Sequence, residues 1–367
     1  MLLLTKVVLS LMVGFITAVI FGFVLIPFLK KINFGQRISD YVGENHHKKE
    51  GTPTMGGIIF IVPTIITIVY LCLSDRVEFT YNLAIVLLVF ILYAILGFLD
   101  DFISIKRKHN EGLTIAQKFL GQVLIALIFF FIFMKYDGNT HFTVSSLGID
   151  IDLGWGYGIF ILLLLVGFSN AVNLTDGLDG LAGGLSAISF VAFALISLFI
   201  GQEDMGIFCF ILVGTIAGFL MFNAYPARIF MGDTGSLFLG FMISVIALLG
   251  YKVTTFTSLV VPIVVLAIPI FDTLFAILRR LLKGQSIAEA DKEHFHHQLL
   301  KMKYSTVASI LIIYAIDITF VAVSILYVLG DNQLAIAIYV VLMILLLFII
   351  LRTDILFEHK KKQDARK

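Results

Sequence analysis

Long apolar runs alternate with short polar segments along this chain. They lie at residues 7–29, 56–74, 82–99, 117–134, 157–172, 180–200, 206–222, 236–251, 258–280, 306–329 and 334–351. In hydrocarbon, a segment of this length must satisfy its backbone groups internally, so each of the eleven runs predicts a helix. The pattern changes once, between Lys135 and Gly156, where HFTVSSLGIDID alternates with a period of two and predicts a small hairpin. No repeat, linker or low-complexity stretch divides the runs. They are read as one integral-membrane domain, 1–367, whose residues 351–367 form a basic tail.

Composition strengthens this reading. The chain is 59% apolar with 35 Phe and only 14% charged residues, and its mean hydropathy is +1.03. A soluble domain cannot hide that much apolar surface, so the expected fold class is an all-α polytopic membrane protein with about 10–11 transmembrane helices. The first run is long enough to span and lacks a small-residue cleavage site, so it is read as a span, not a signal peptide. Cys72 and Cys209 both fall inside apolar runs, which excludes a disulfide framework and any metal-ligand spacing. The net charge of +1 comes with no basic, aromatic-interleaved patch, and no nucleic-acid partner is expected.

The basic residues set an orientation. Alternating the runs across a membrane collects 22 of the 26 Lys and Arg on one side, leaving Lys6, Arg76, Lys135 and Lys252 on the other. The positive-inside rule then places the N-terminus outside and the tail in the cytoplasm.

Four polar, Gly-containing segments and one His-rich segment interrupt the runs on that inner side. The stretch Asn170–Gly184, NAVNLTDGLDGLAGG, presents Asp176 and Asp179 with Asn173 in a tight turn; the plainer reading is an Asp-capped interhelical turn. His46–Gly57, HHKKEGTPTMGG, sets Lys49 and Thr54 before Gly-Gly at a helix entrance, which suits an anionic phosphate or simply anchors the loop. At the end of the third run, adjacent Asp100 and Asp101 repel each other and oppose a helix C-terminus, penalties a divalent cation would remove. The alternative is a solvated pair just past the helix end. Asn223–Ser236, NAYPARIFMGDTGS, brings Asp233 after Gly232, as a site acid or as an N-cap. Asp291–Gln298, DKEHFHHQ, places His294, His296 and His297 beside acids, as metal or phosphate ligands or as a solvated loop; their spacing is poor for zinc. Independent caps would scatter over both faces. Acids gathered on one face read as a magnesium-dependent site for a phosphorylated substrate.

These segments resemble the polyprenyl-phosphate N-acetylhexosamine-1-phosphate transferases over nearly the whole chain. HHKKEGTPTMGG, FLDDF, NAVNLTDGLDGLAGG and FMGDTGS are most similar to the branch acting on phospho-MurNAc-pentapeptide. The resemblance implies a multi-pass bacterial inner-membrane enzyme with a cytoplasmic active site. It would transfer phospho-MurNAc-pentapeptide from UDP-MurNAc-pentapeptide to undecaprenyl phosphate, giving lipid I and UMP, with Mg2+ as cofactor and commonly as a homodimer. By motif match, Asp100, Asp101 and Asp233 would be the catalytic and magnesium-handling acids. Lys49, Asp179, Asn223 and Phe230 would form a uridine pocket, with Thr54, Asn173, Asp176 and Gly232 beside it. Lys118, His294, His296 and His297 would reach the diphosphate or the sugar-peptide.

Three features depart from the muramoyl pattern: His-Phe-His-His-Gln in place of three consecutive histidines followed by an aromatic and Glu, Asp272 where Glu is usual, and eleven runs instead of ten spans. They are more similar to the UDP-GlcNAc:undecaprenyl-phosphate GlcNAc-1-phosphate transferases, the alternative activity. A membrane transporter is the rival from another class, but only Asp272 and Asp317 fall within runs, and transporters place ionisable groups near mid-membrane.

Overall fold

Every apolar run coincides with a helix, the ninth from residue 267 onward. The computed structural model describes residues 2–32, 51–107, 112–136, 140–144, 149–250, 265, 267–282, 284, 294–330 and 332–352. The helices are α1 (Leu3–Lys31), α2 (Ile58–Leu73), α3 (Tyr81–Arg107), α4 (Ile115–Tyr136), α5 (Gly156–Thr175) and α6 (Leu181–Phe199). They continue as α7 (Glu203–Asn223), α8 (Asp233–Gly250), α9 (Ala267–Leu282), α10 (Phe295–Lys301), α11 (Thr306–Leu329) and α12 (Asn332–Arg352). The short α10 lies in no apolar run and was not expected. Lys49, the Asp291–Glu293 segment, the start of the ninth run and the tail from residue 353 lie outside the described residues.

Among the described residues, seven helices (α1, α3, α4, α5, α6, α7 and α11) are long and apolar enough to cross a membrane, and Ile58–Leu73, Asp233–Leu249 and Gln333–Phe348, in α2, α8 and α12, are shorter apolar stretches. The chain is an all-α polytopic membrane protein. The expected hairpin is present as β1 (His141–Val144) antiparallel to β2 (Ile149–Asp152), with His141 opposite Asp152.

Packing centres on α7 and α8. On α1, the buried residues Ser10, Gly14, Ala18 and Gly22 recur every fourth position and form one narrow face. A Cβ at Gly214 of α7 would sit 2.3 Å from the Leu11 carbonyl, so the two backbones nearly touch. Small residues at such contacts are how helices associate in lipid, where apolar burial alone gives no preference for a neighbouring helix. Opposite this face, Val8, Met12, Ile16, Ile20 and Phe23 of α1 are exposed, as expected for a surface solvated by acyl chains. Aromatic contacts fill the centre: Phe90 meets Phe238 edge-on at 4.5 Å, and Tyr93 stacks on Phe241 at 3.9 Å. The Tyr93 hydroxyl donates to Ser169 Oγ at 2.7 Å, which donates to the Leu237 carbonyl at 2.8 Å, so α3, α5 and α8 share a satisfied polar chain.

Alternation of the helices sorts the connections into two ends. The segments 53–57 and 230–231, the N-terminus of α8 and the turns after α5 and α7 meet at one of them, called here the site end. At the other, Lys6 pairs with Glu203 and Thr80 hydrogen-bonds to Asp204.

One local expectation is corrected. Asp100 and Asp101 do not stand at a helix C-terminus, and they are not a solvated pair: α3 continues to Arg107, and both side chains are buried. The apolar run ends at residue 99, but the helix does not stop there.

Candidate active site

Adjacent residues on a helix point roughly 100° apart, and this separates the two buried acids. Asp101 faces α8. Its carboxylate accepts hydrogen bonds from Asp233 N at 3.1 Å, Thr234 N at 2.9 Å and Thr234 Oγ1 at 2.6 Å. It therefore caps the N-terminus of α8 from another helix, satisfying backbone donors that the helix itself cannot. Asp100 faces α4. It accepts from Leu113 N at 2.9 Å and pairs with Lys118 Nζ at 3.0 Å. The same lysine also pairs with Asp233. Ligand atoms of Asp100, Asp101 and Asp233 all lie within 4.8 Å of one another. The three acids expected to share one centre do so.

Glycines make the approach possible. A Cβ at Gly97, one turn before Asp101, would lie 2.7 Å from Thr234 Cα. Gly232 has φ 71° and a built Cβ would meet Asp101 Oδ2 at 2.3 Å and Thr54 Oγ1 at 2.9 Å. Only glycine fits a left-handed backbone in that space. Thr54 is buried beside it, in a segment joined to residues 230–231 by Phe230 N to Pro53 O, Gly56 N to Phe230 O and Gly57 N to Met231 O.

The turn after α5 is clamped to the turn after α7. Asn223 Oδ1 accepts from Gly180 N at 3.0 Å and its amide donates to the Ile229 carbonyl at 2.9 Å; Asp179 Oδ2 accepts from Ala227 N at 3.0 Å. Both side chains thus serve the loops directly. Tyr314 of α11 donates to the Gly180 carbonyl at 2.6 Å. Asp176, just past the end of α5, has its carboxyl pushed up to about 7, by burial first and then by the charges of Asp233, Asp179 and Asp101. Asn173 lies on the last turn of α5, partly buried.

The histidines reach the same loop. A Cβ at Gly177 would lie 2.2 Å from His296 Nε2, so the ring rests on the 170–184 stretch. His294 and His296 rings are parallel at 5.8 Å, and His297 lies 4.2 Å from His296. Asp272 of α9 accepts from Phe295 N at 2.8 Å and pairs with His294 Nδ1 at 3.0 Å, fixing the start of α10. Burial, then the neighbouring His297, pushes His296 down to about 3, so its imidazole is neutral at physiological pH. The native state therefore binds fewer protons there than the unfolded chain between about pH 3 and the ordinary histidine range. Stability falls as pH drops through that window. Moving from pH 7.5 to pH 5 is expected to cost roughly 2 kcal/mol through this group, and the loss should be missing in His296→Asn when melting curves are compared.

Residues 83–251 match the family model for glycosyl transferase family 4, and residues 49–61 match phospho-N-acetylmuramoyl-pentapeptide-transferase signature 1. Proteins named phospho-N-acetylmuramoyl-pentapeptide-transferase align over much of the chain. The Bacillus subtilis (strain 168) protein is 41% identical over 295 residues, 79% of this chain and 89% of its own length. The Geobacillus sp. (strain WCH70) protein is 39% identical over 80% of this chain and 89% of its own. The Listeria monocytogenes (EGD-e) protein is 47% identical over 65% of this chain and 74% of its own. The chain belongs to the phospho-N-acetylmuramoyl-pentapeptide-transferase family.

As a member of that family it is a bacterial transferase of multi-pass membrane architecture. The family signature covers Thr54 and the Gly56–Gly57 entrance, and the longer match covers the three acids and both clamped turns. The histidines lie beyond both matches. Here two departures from the muramoyl pattern form one structural unit: Phe295, which interrupts the histidines, places its N–H on Asp272. Two contributors were not singled out from sequence: Thr234 gave only the signal of a hydroxyl at a helix start, and Tyr314 gave none. Asp272 was named as a departure from the muramoyl pattern and as an acid within an apolar run, but not as a site residue.

Proposed function

We propose that this protein transfers phospho-MurNAc-pentapeptide from UDP-MurNAc-pentapeptide to undecaprenyl phosphate, forming lipid I and UMP, at a magnesium-dependent site facing the cytoplasm. The observation that carries the reading is the convergence of Asp100 of α3, Lys118 of α4 and Asp233 at the start of α8, in a chain bearing the muramoyl signature.

The donor set fits magnesium: three carboxylates, hard oxygen ligands only, with ligand atoms within 4.8 Å. When bound, the ion supplies charge neutralisation for the diphosphate. Asp100 and Asp233 would hold it first, because the Asp101 oxygens are engaged by the start of α8. In the reaction, a phosphate oxygen of the lipid forms a bond to the sugar-bearing phosphorus. The bond from that phosphorus to the bridging oxygen breaks, and UMP leaves with the electron pair. In the direct route Asp100 takes the proton from the lipid phosphate; in the two-step route its carboxylate attacks first. Lys118 holds phosphate oxygens in line. By motif match Lys49, Asp179, Asn223 and Phe230 would serve the uridine side, and Thr54, Asn173, Asp176 and Gly232 the sugar and phosphates. His294, His296 and His297 meet the sugar-peptide, where a neutral imidazole suits an uncharged amide.

UDP-MurNAc-pentapeptide and UDP-GlcNAc, offered in parallel with undecaprenyl phosphate, test the reading. UMP release is expected from the first alone. Release from UDP-GlcNAc instead would move the chain to GlcNAc-1-phosphate transfer, and release from neither would end the enzyme reading.

A further inference from the structure

Asp317 lies near the middle of α11, is 1% exposed, and neither carboxylate oxygen has a hydrogen-bond partner among the described residues. Ionisable groups at membrane depth are costly and are normally paired with another group or with an ion. Asp317 shares a pocket between α5, α6, α9 and α11 with Thr175, Ser186, Ser189 and Pro269. Ser186 Oγ is also buried and without a partner among the described residues. The Thr175 and Ser189 hydroxyls donate back along their own helices, each at 2.9 Å to Ala171 O and Leu185 O, and so keep lone pairs available as acceptors. Pro269 offers no N–H.

The lining therefore presents oxygen acceptors and a single carboxyl group, which would carry one negative charge when a cation replaces its proton. It includes no Lys, Arg or His among the described residues. The titratable neighbour is Tyr314, one turn earlier on α11, whose phenol is committed to the Gly180 carbonyl. The space is too tight for a water molecule. We propose that this pocket binds a small dehydrated monovalent cation, sodium, between Asp317 and the hydroxyls of Thr175, Ser186 and Ser189. One carboxylate balances one charge, whereas a divalent ion would leave an uncompensated charge in low dielectric. Potassium is too large for a site that excludes water. Thr175 directly precedes Asp176, so the bound ion ties α11 to the helix ends that carry the acidic turn.

The site is independent of the transferase chemistry, and its test reads binding and melting, not turnover. Purified full-length protein is melted in sodium, lithium, potassium and choline chloride at one ionic strength, and equilibrium binding of radioactive sodium is counted. A ligand that binds only the folded state raises its melting temperature. The expected result is a saturable rise with sodium that potassium and choline do not reproduce, with one ion bound per chain. Asp317→Asn should abolish the rise and the binding. Ser186→Ala, a milder change that keeps the acid, should shift the half-saturating sodium concentration upward roughly tenfold, the order expected for loss of one polar contact. Superimposable melts in all four salts would overturn the proposal, as would an undiminished sodium response in Asp317→Asn. If Asp317→Asn does not fold, an unshifted sodium midpoint in Ser186→Ala overturns it.

Discussion

Asp100→Asn and Asp233→Asn are each expected to lower turnover by on the order of 10³-fold while leaving the melting temperature nearly unchanged. Both acids face Lys118, and removing the charge of one leaves the lysine paired with the other. An Asn at position 100 retains a carbonyl oxygen for the Leu113 N–H, so the segment before α4 keeps its anchor. On the proposed function, what is lost is the negative charge that would hold a cation against the phosphates and take a proton. UMP release by the two variants, beside their thermal melts, checks this. Near-wild-type turnover in either variant would remove that residue from the catalytic machinery.

Asp101→Asn is expected to behave differently, lowering stability by about 3 kcal/mol as well as abolishing turnover. The wild-type carboxylate accepts three hydrogen bonds, two of them from the backbone at the first turn of α8. An amide has one accepting oxygen, and its NH2 would oppose an N–H donor in a buried contact. The start of α8 would be released from α3, and Asp233 with it. Thr234→Val removes one of the three bonds and should cost about 1 kcal/mol. Denaturation of the two variants separates the roles: a normal melt for Asp101→Asn would show that its carboxylate does not hold α8.

The helices were legible because lipid imposes one rule along the whole chain, and the hairpin because its period of two stands out between helical runs. The gathering of the acids was legible from their placement on one face. Their division of labour was not. FLDDF gives two equivalent letters; only the continuation of α3 to Arg107 turns one toward Lys118 and the other toward α8. The helix end was misplaced because hydropathy reports where a segment meets water, and a helix can continue past that point. Tyr314 was invisible for another reason: its bond to the Gly180 carbonyl joins positions 134 residues apart, and no local pattern encodes such a contact. The histidine cluster was recognised as chemistry, but its approach to Gly177 depends on the placement of α10 by Asp272, which no spacing discloses.

Lys118, set between Asp100 and Asp233, gives the centre a resident counter-ion of its own. On the proposed function, a cation would not enter a cavity of bare repelling acids; it would have to displace an ammonium group on a flexible stem. Loading would then be an exchange of one positive charge for another. Its affinity would be tempered by the cost of that displacement, and the freed ammonium would be available to an anionic phosphate beside it.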